Sequence, residues 1–217
     1  MRKKRIWKHI TVIALAVAAA TAAIDGISAY FTDTQEKTNT LTVGSVKTDL
    51  EEPEWEDVPS DEKTDITPNQ TIKKDPRITN TGANDAYAFL EIQVPVKKII
   101  TVGPDGKKLP AADTELFAYK VNDGWVQVRS SDITTSGKVT ARSYVYAYGT
   151  KTQCTVLKKG ETTTPLFDSV TLVNAIEGQI DEETLNIPVK SYAIQAEHIG
   201  ESKVPSDVFQ IYMKQNQ

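Results

Sequence analysis

The chain has 217 residues, a formal net charge of −4 and a single cysteine, Cys154. One cysteine excludes an internal disulfide, so the fold has to hold by packing alone. The acidic balance argues against nucleic acid and anionic lipid as partners, since both need a basic face.

Five basic residues, Arg2, Lys3, Lys4, Arg5 and Lys8, precede an apolar run over residues 10–24. The small residues Gly26-Ile27-Ser28-Ala29 follow it. That order predicts a secretory signal over residues 1–29: a basic region held on the cytoplasmic side, a short hydrophobic helix, and a small residue for the peptidase pocket. The run is 15 residues long, and a stable span needs about 18 or more. A cleavable signal is therefore expected, with membrane contact only through the uncleaved form. The small-residue preference is met better by Ala20-Thr21-Ala22 than by Ala29, so the signal pattern alone does not fix the cleavage site. Cleavage after Ala29 removes five basic residues and one acidic residue, leaving 188 residues with a net charge of −8. That length supports one domain with a real core, and the charge favours solubility outside the cell.

Residues 30–40 form a polar-rich segment, expected to be flexible, with Tyr30 and Phe31 at its tip. Leu41 to Leu50 reads as the first strand. Leu41 and Val43 fall on one phase and Val46 and Leu50 on the other, so a bulge or close backbone approach is expected at Gly44. Nine carboxylates lie between Asp49 and Asp65, with Pro53 and Pro59 among them. Residues 51–65 read as a solvated acidic loop between strands. Calcium is the sharper alternative there, but the Asp-x-Asp-x-Asp-Gly spacing of a calcium loop is missing. Trp55 is expected to cap the edge of the core.

Alternation with period two then dominates. Leu90, Ile92, Val94 and Val96 share one face, opposite Glu91, Gln93 and Pro95. Phe117, Tyr119 and Val121 alternate up to Asn122-Asp123-Gly124, and Trp125, Val126 and Val128 start a second run. Asp-Gly between apolar runs predicts a hairpin there. Tyr144, Tyr146 and Tyr148 give a further strand, Thr152 to Val156 another, and Leu185 to Ala193 the last. Turns are expected at 81–84, 103–106 and 158–161. Residues 205–214 have helical spacing and begin with Pro205-Ser206-Asp207. Many short strands between turn signals predict an all-β, antiparallel β-sandwich with a short C-terminal helix, one domain over 30–217.

Several strings resemble one family. They are Ser28-Ala29-Tyr30-Phe31-Thr32-Asp33, Asn39-Thr40-Leu41-Thr42-Val43-Gly44, Glu52-Pro53-Glu54-Trp55, Asp75-Pro76-Arg77-Ile78-Thr79-Asn80-Thr81-Gly82, Asn84-Asp85-Ala86-Tyr87, Pro165-Leu166-Phe167 and Tyr192-Ala193-Ile194-Gln195-Ala196. Each is short and degenerate, but together they span nearly the whole chain and resemble the TasA/camelysin family. The resemblance implies a jelly-roll form of the sandwich. It implies cleavage between Ala29 and Tyr30 by a signal peptidase of the SipW type found in Gram-positive bacteria. It further implies a secreted subunit of biofilm matrix fibres, whose freed N-terminal strand enters the sheet of the next subunit. The candidate assembly strand carries Tyr30, Phe31, Leu41 and Val43, and the partner would be the same chain or a paralogous matrix subunit. Asp33, Glu36 and Lys37 depart from a strongly apolar donor strand. A non-polymerising adhesin or accessory matrix protein of the same fold is the alternative, reading glycans through loop aromatics such as Trp55 or Trp125.

Camelysin relatives have been classed as zinc metallopeptidases, so the resemblance also implies, as its weaker alternative, metallopeptidase chemistry. Beyond residue 29 the chain has one histidine, His198, in Glu197-His198-Ile199-Gly200-Glu201. A helical zinc protease motif needs two histidines one turn apart, with a glutamate between them. A Cys154/His198 pair could form a nucleophile and its base, but a lone cysteine in a strand is expected to be a small buried hydrophobe. There is no Gly-x-Ser-x-Gly elbow, phosphate loop or dinucleotide fingerprint. No catalytic residue, metal site or cofactor is expected.

Overall fold

The computed structural model describes residues 45–181 and 183–216. At its centre lies β4 (Ala86–Ile99), a 14-residue strand. Even-numbered Leu90, Ile92 and Val94 have no exposed surface, as the alternation requires. Tyr87, Ala88 and Phe89 are also buried, so this end of the strand is covered on both faces.

The main sheet runs β10 (Val189–Gln195), β4, β8 (Lys138–Tyr148), β7 (Trp125–Thr135), with β5 (Ala112–Glu115) pairing the far end of β4. A second sheet runs β2 (Thr71–Lys73), β9 (Ser169–Leu172), β6 (Phe117–Ala118), and β1 (Thr48–Glu51) pairs with β3 (Arg77–Asn80) as a ribbon. Every strand pair is antiparallel. The result is an all-β antiparallel sandwich.

Two cores follow from the two faces of the main sheet. Leu90, Ile92, Val94 and Tyr146 on one face meet Ile78, Phe117, Leu166, Phe167, Val170 and Leu172. Phe89, Val145, Ala147 and Ile194 on the other meet Val208 and Phe209. Those two belong to α2 (Pro205–Gln215), which starts with proline at its first turn and closes over the sheet. The Phe89 and Phe209 rings stand 5.2 Å apart, in tilted contact.

Two close backbone approaches set the loops. Asn80, fully buried, donates through Nδ2 to the carbonyls of Leu157 (2.8 Å) and Asn84 (3.0 Å) and accepts from Gly82 N–H (3.0 Å). A Cβ on Gly82 would meet Ser45 O at 2.6 Å, so glycine lets the segment before β1 lie against this turn. Gly149 has φ +149, and a Cβ there would meet Gln153 O at 2.4 Å.

The structure corrects several expectations. Asn122-Asp123-Gly124 is a turn but closes no hairpin. Phe117 pairs with Leu172 of the second sheet, whereas Trp125 pairs with Tyr148 of the main sheet. The turn therefore carries the chain from one layer to the other, and Asn122 N–H bonds Leu166 O (2.8 Å) across the gap. The tight hairpin joins β7 to β8 at Ser136-Gly137, with φ of +53 and +76, as a two-residue primed turn demands. The first described strand covers only Thr48–Glu51; Leu41, Val43 and the phase change at Gly44 lie outside the described residues. Cys154 sits in an isolated bridge with Gly149, not in a strand. Leu185 and Ile187 pack on the core, yet strand pairing begins only at Val189. The acidic stretch is folded into a one-turn α1 (Pro53–Glu56) and a 3-10 turn over Ser60–Lys63.

Leu90→Ala is expected to lower stability by about 2–5 kcal/mol in urea unfolding, because rigid neighbours on all sides leave a cavity. Gly149→Ala should lower the thermal midpoint as well. Its Cβ strikes backbone, which cannot turn aside.

Candidate functional site

The sequence-derived assembly residues Ala29, Tyr30, Phe31, Leu41 and Val43 lie outside the described residues. The described residues offer two features that could receive a partner: a free sheet edge and an apolar cleft.

The edge is β7. It is one end strand of the main sheet, the shorter β10 being the other, and among the described residues nothing pairs with its outer side. Gln127, Arg129, Ser130, Ser131 and Asp132 are all exposed. A bulge between Gln127 and Arg129 breaks the register, leaving Arg129 to Ile133 as the straight run. Arg142 Nε lies 3.2 Å from Asp132 and its Nη1 3.1 Å from Glu115, so the Asp132 charge is compensated from β8. Arg129 makes no ion pair among the described residues.

The cleft opens where the second sheet parts from the segment leading into β10. It has a volume of ≈ 540 Å³ and is lined chiefly by Ile66, Ile72, Phe117, Val170, Leu185 and Ile187. A neighbouring cleft of ≈ 800 Å³ shares Lys63, Ile66 and Leu185 with it. Trp55 stands at one end, half-buried. The Lys63 and Lys74 ammonium groups lie 4.7 Å and 5.0 Å from its ring centroid.

Charged groups under α1 hold this wall in place. Asp75, 1% exposed, accepts from the backbone N–H of Glu54 (2.9 Å) and Trp55 (3.4 Å) and pairs with Arg77. Lys74 is nearly as buried and binds Glu52 Oε2 at 2.7 Å. Part of the acidic stretch is thus an anchored wall rather than a solvated loop. Among the described residues no three His, Cys, Asp or Glu side chains converge on a common metal position.

The chemistry-bearing residues weighed from sequence lie apart from the cleft. Burial pushes the Cys154 thiol up to about 12, so it stays protonated at neutral pH. His198 is exposed just after β10, with φ +59, and its nearest ionic neighbour is Glu197 at 3.9 Å. Trp125 is buried rather than presented on a loop: it is 7% exposed, and its Nε1 donates to Thr164 O at 3.0 Å. It offers no surface for a glycan.

Two polar networks that alternation could not reveal bind the main sheet laterally. Glu91 accepts from Ser143 Oγ (2.6 Å), Gln93 Nε2 (3.1 Å) and the Tyr192 hydroxyl. Burial alone would raise its carboxyl, but these hydrogen bonds and the Lys190 charge outweigh burial and hold it below the usual range. Tyr119 and Tyr146 share a hydroxyl contact of 3.0 Å, and Tyr144 donates to Glu115. Burial first, then Glu115, pushes the Tyr144 phenol up to about 12.

Comparison of the chain with family models, with curated proteins and with solved structures finds no match.

Because Glu91 binds its proton less tightly folded than unfolded, its contribution is complete above the unfolded carboxylate range and fades as pH falls through the folded value. Glu91→Gln is expected to lower stability at pH 7 and to flatten the acid limb of the stability profile. Urea midpoints measured across pH 3 to 7 would test this, and parallel profiles for both proteins would contradict it.

Proposed function

We propose that the exported chain is a subunit of an extracellular matrix fibre of the TasA type, joined head to tail by strand addition. The observation that carries this reading is the 11-residue β7 with its outer side unpaired among the described residues. Such an edge presents a row of N–H and C=O groups that an incoming strand can satisfy. The donor is the segment from Tyr30 to Val43, freed when a SipW-type peptidase cuts after Ala29. Its polar composition suits the run Arg129 to Asp132, exposed on both faces, where main-chain bonds supply the affinity and few pockets need filling. Asp33 and Glu36 complement Arg129. Tyr30, Phe31, Leu41 and Val43 add apolar contact at the two ends of the segment. Donor and acceptor are different parts of the chain, so the contact does not close on itself and grows a filament from copies of this chain or a paralogue. An uncleaved leader would encumber the donor end, tying assembly to secretion.

Negative-stain microscopy of the chain starting at Tyr30 should show filaments. The chain starting at Leu41 and the double variant Arg129→Glu, Ser131→Glu should give folded monomers. Folded monomers from all three at high concentration would replace this reading with that of a non-polymerising surface protein. Filaments from all three would place the joint elsewhere.

A further inference from the structure

The apolar cleft beside Trp55 is not used by strand addition at β7. Its floor consists of core residues: Phe117 is 5% exposed, Val170 2% and Ile72 7%. The opening therefore reaches into the sandwich rather than resting on it. Its volume of ≈ 540 Å³ falls within the range of about 300–1,000 Å³ usual for small-molecule sites. Apart from Asn186, its polar side chains are Trp55, Lys63 and Lys74.

The two ammonium groups differ. Lys74 is neutralised by Glu52 at 2.7 Å, whereas Lys63 makes no ion pair among the described residues and is held only over the Trp55 ring. No carboxylate lines this cleft. The site thus has an apolar trough and, at its end, one cation without an ion pair among the described residues; the carboxylates Asp65, Glu177, Asp181 and Glu183 line the adjoining cleft that Lys63 also borders. Its complement is a molecule with an apolar tail and a single anionic head.

We propose that this cleft binds a free long-chain carboxylate, its acyl chain over Ile72, Phe117, Val170 and Leu185 and its head group against Lys63 beside Trp55. Burial of the chain drives binding, and the ion pair at the mouth sets orientation and selects anion over cation. Trp55 reports occupancy, since the head group arrives next to its ring.

The test is calorimetric and fluorescence titration of the chain starting at Tyr30, with dodecanoate kept below its micelle concentration. One saturable site is expected, with a change in Trp55 emission that disappears in Trp55→Phe. Dodecylammonium should bind more weakly, and Lys63→Gln should weaken dodecanoate about fivefold, as expected for an exposed ion pair. Leu185→Glu, which places a carboxylate in the trough, should abolish binding while the far-ultraviolet spectrum stays unchanged. Absence of saturable binding, equal affinity for dodecylammonium, or indifference to Lys63→Gln would overturn the proposal. Saturation of the cleft by a peptide of residues 30–43 and not by dodecanoate would overturn it too, and would move the strand-acceptor site here from β7. Filament formation is scored separately, so the two readings fail independently.

Discussion

The fold depends on one constraint: β4 is buried on both faces over Ala86 to Leu90. A strand at the centre of a simple two-layer sandwich needs one apolar face. This one needs two, so two covers must exist. The second sheet supplies one and α2 the other, through Val208 and Phe209. The helix is therefore a structural layer and not an appendage. Each lateral partner of β4 carries a polar tie as well, Ser143 from β8 and Tyr192 from β10, both converging on Glu91. The carboxylate thereby joins three strands whose register the backbone ladders already set.

How much of this was legible in the sequence follows from the range of each signal. Alternation is local, and it located β4, β8 and the buried face of Leu90, Ile92, Val94 and Val96, but not the burial of both faces at the start of β4. The terminal helix was legible for the same reason, since its spacing and its opening proline lie within eleven residues. Pairing is not local. Asp-Gly between two apolar runs cannot say whether those runs meet each other or belong to different layers, and here they belong to different layers. The hairpin turn that does form, Ser136-Gly137, carries a weaker composition signal because serine in the left-handed region is uncommon. The acidic stretch read as solvent-facing because nine carboxylates mask the two features that anchor it. One is Trp55. The other is Asp75, some twenty residues away, whose carboxylate accepts from the start of α1.

The candidate sites divide in the same way. Residues expected to join copies of the chain were read from the N-terminal segment, where composition and order speak. The surfaces able to receive a partner could not be read at all, because an edge is defined by the absence of a neighbour and a cleft by the parting of two sheets. Lys63 looked like one more charge in an acidic run; only its position over Trp55, at the mouth of an apolar trough, sets it apart. Cys154 and His198, conspicuous by rarity, differ in their surroundings, the thiol buried and the imidazole exposed.

The order in which the chain is made bears on all of this. The end of β4, Val96 to Ile99, pairs with nearby β5, but the rest of the strand waits for β8, some fifty residues downstream, and for β10, about a hundred residues on. The cover for its Phe89 face comes later still, in α2. A chain emerging from the ribosome therefore carries an apolar central strand for most of its synthesis without the elements that close over it. Non-local pairing of this kind makes folding slow and late.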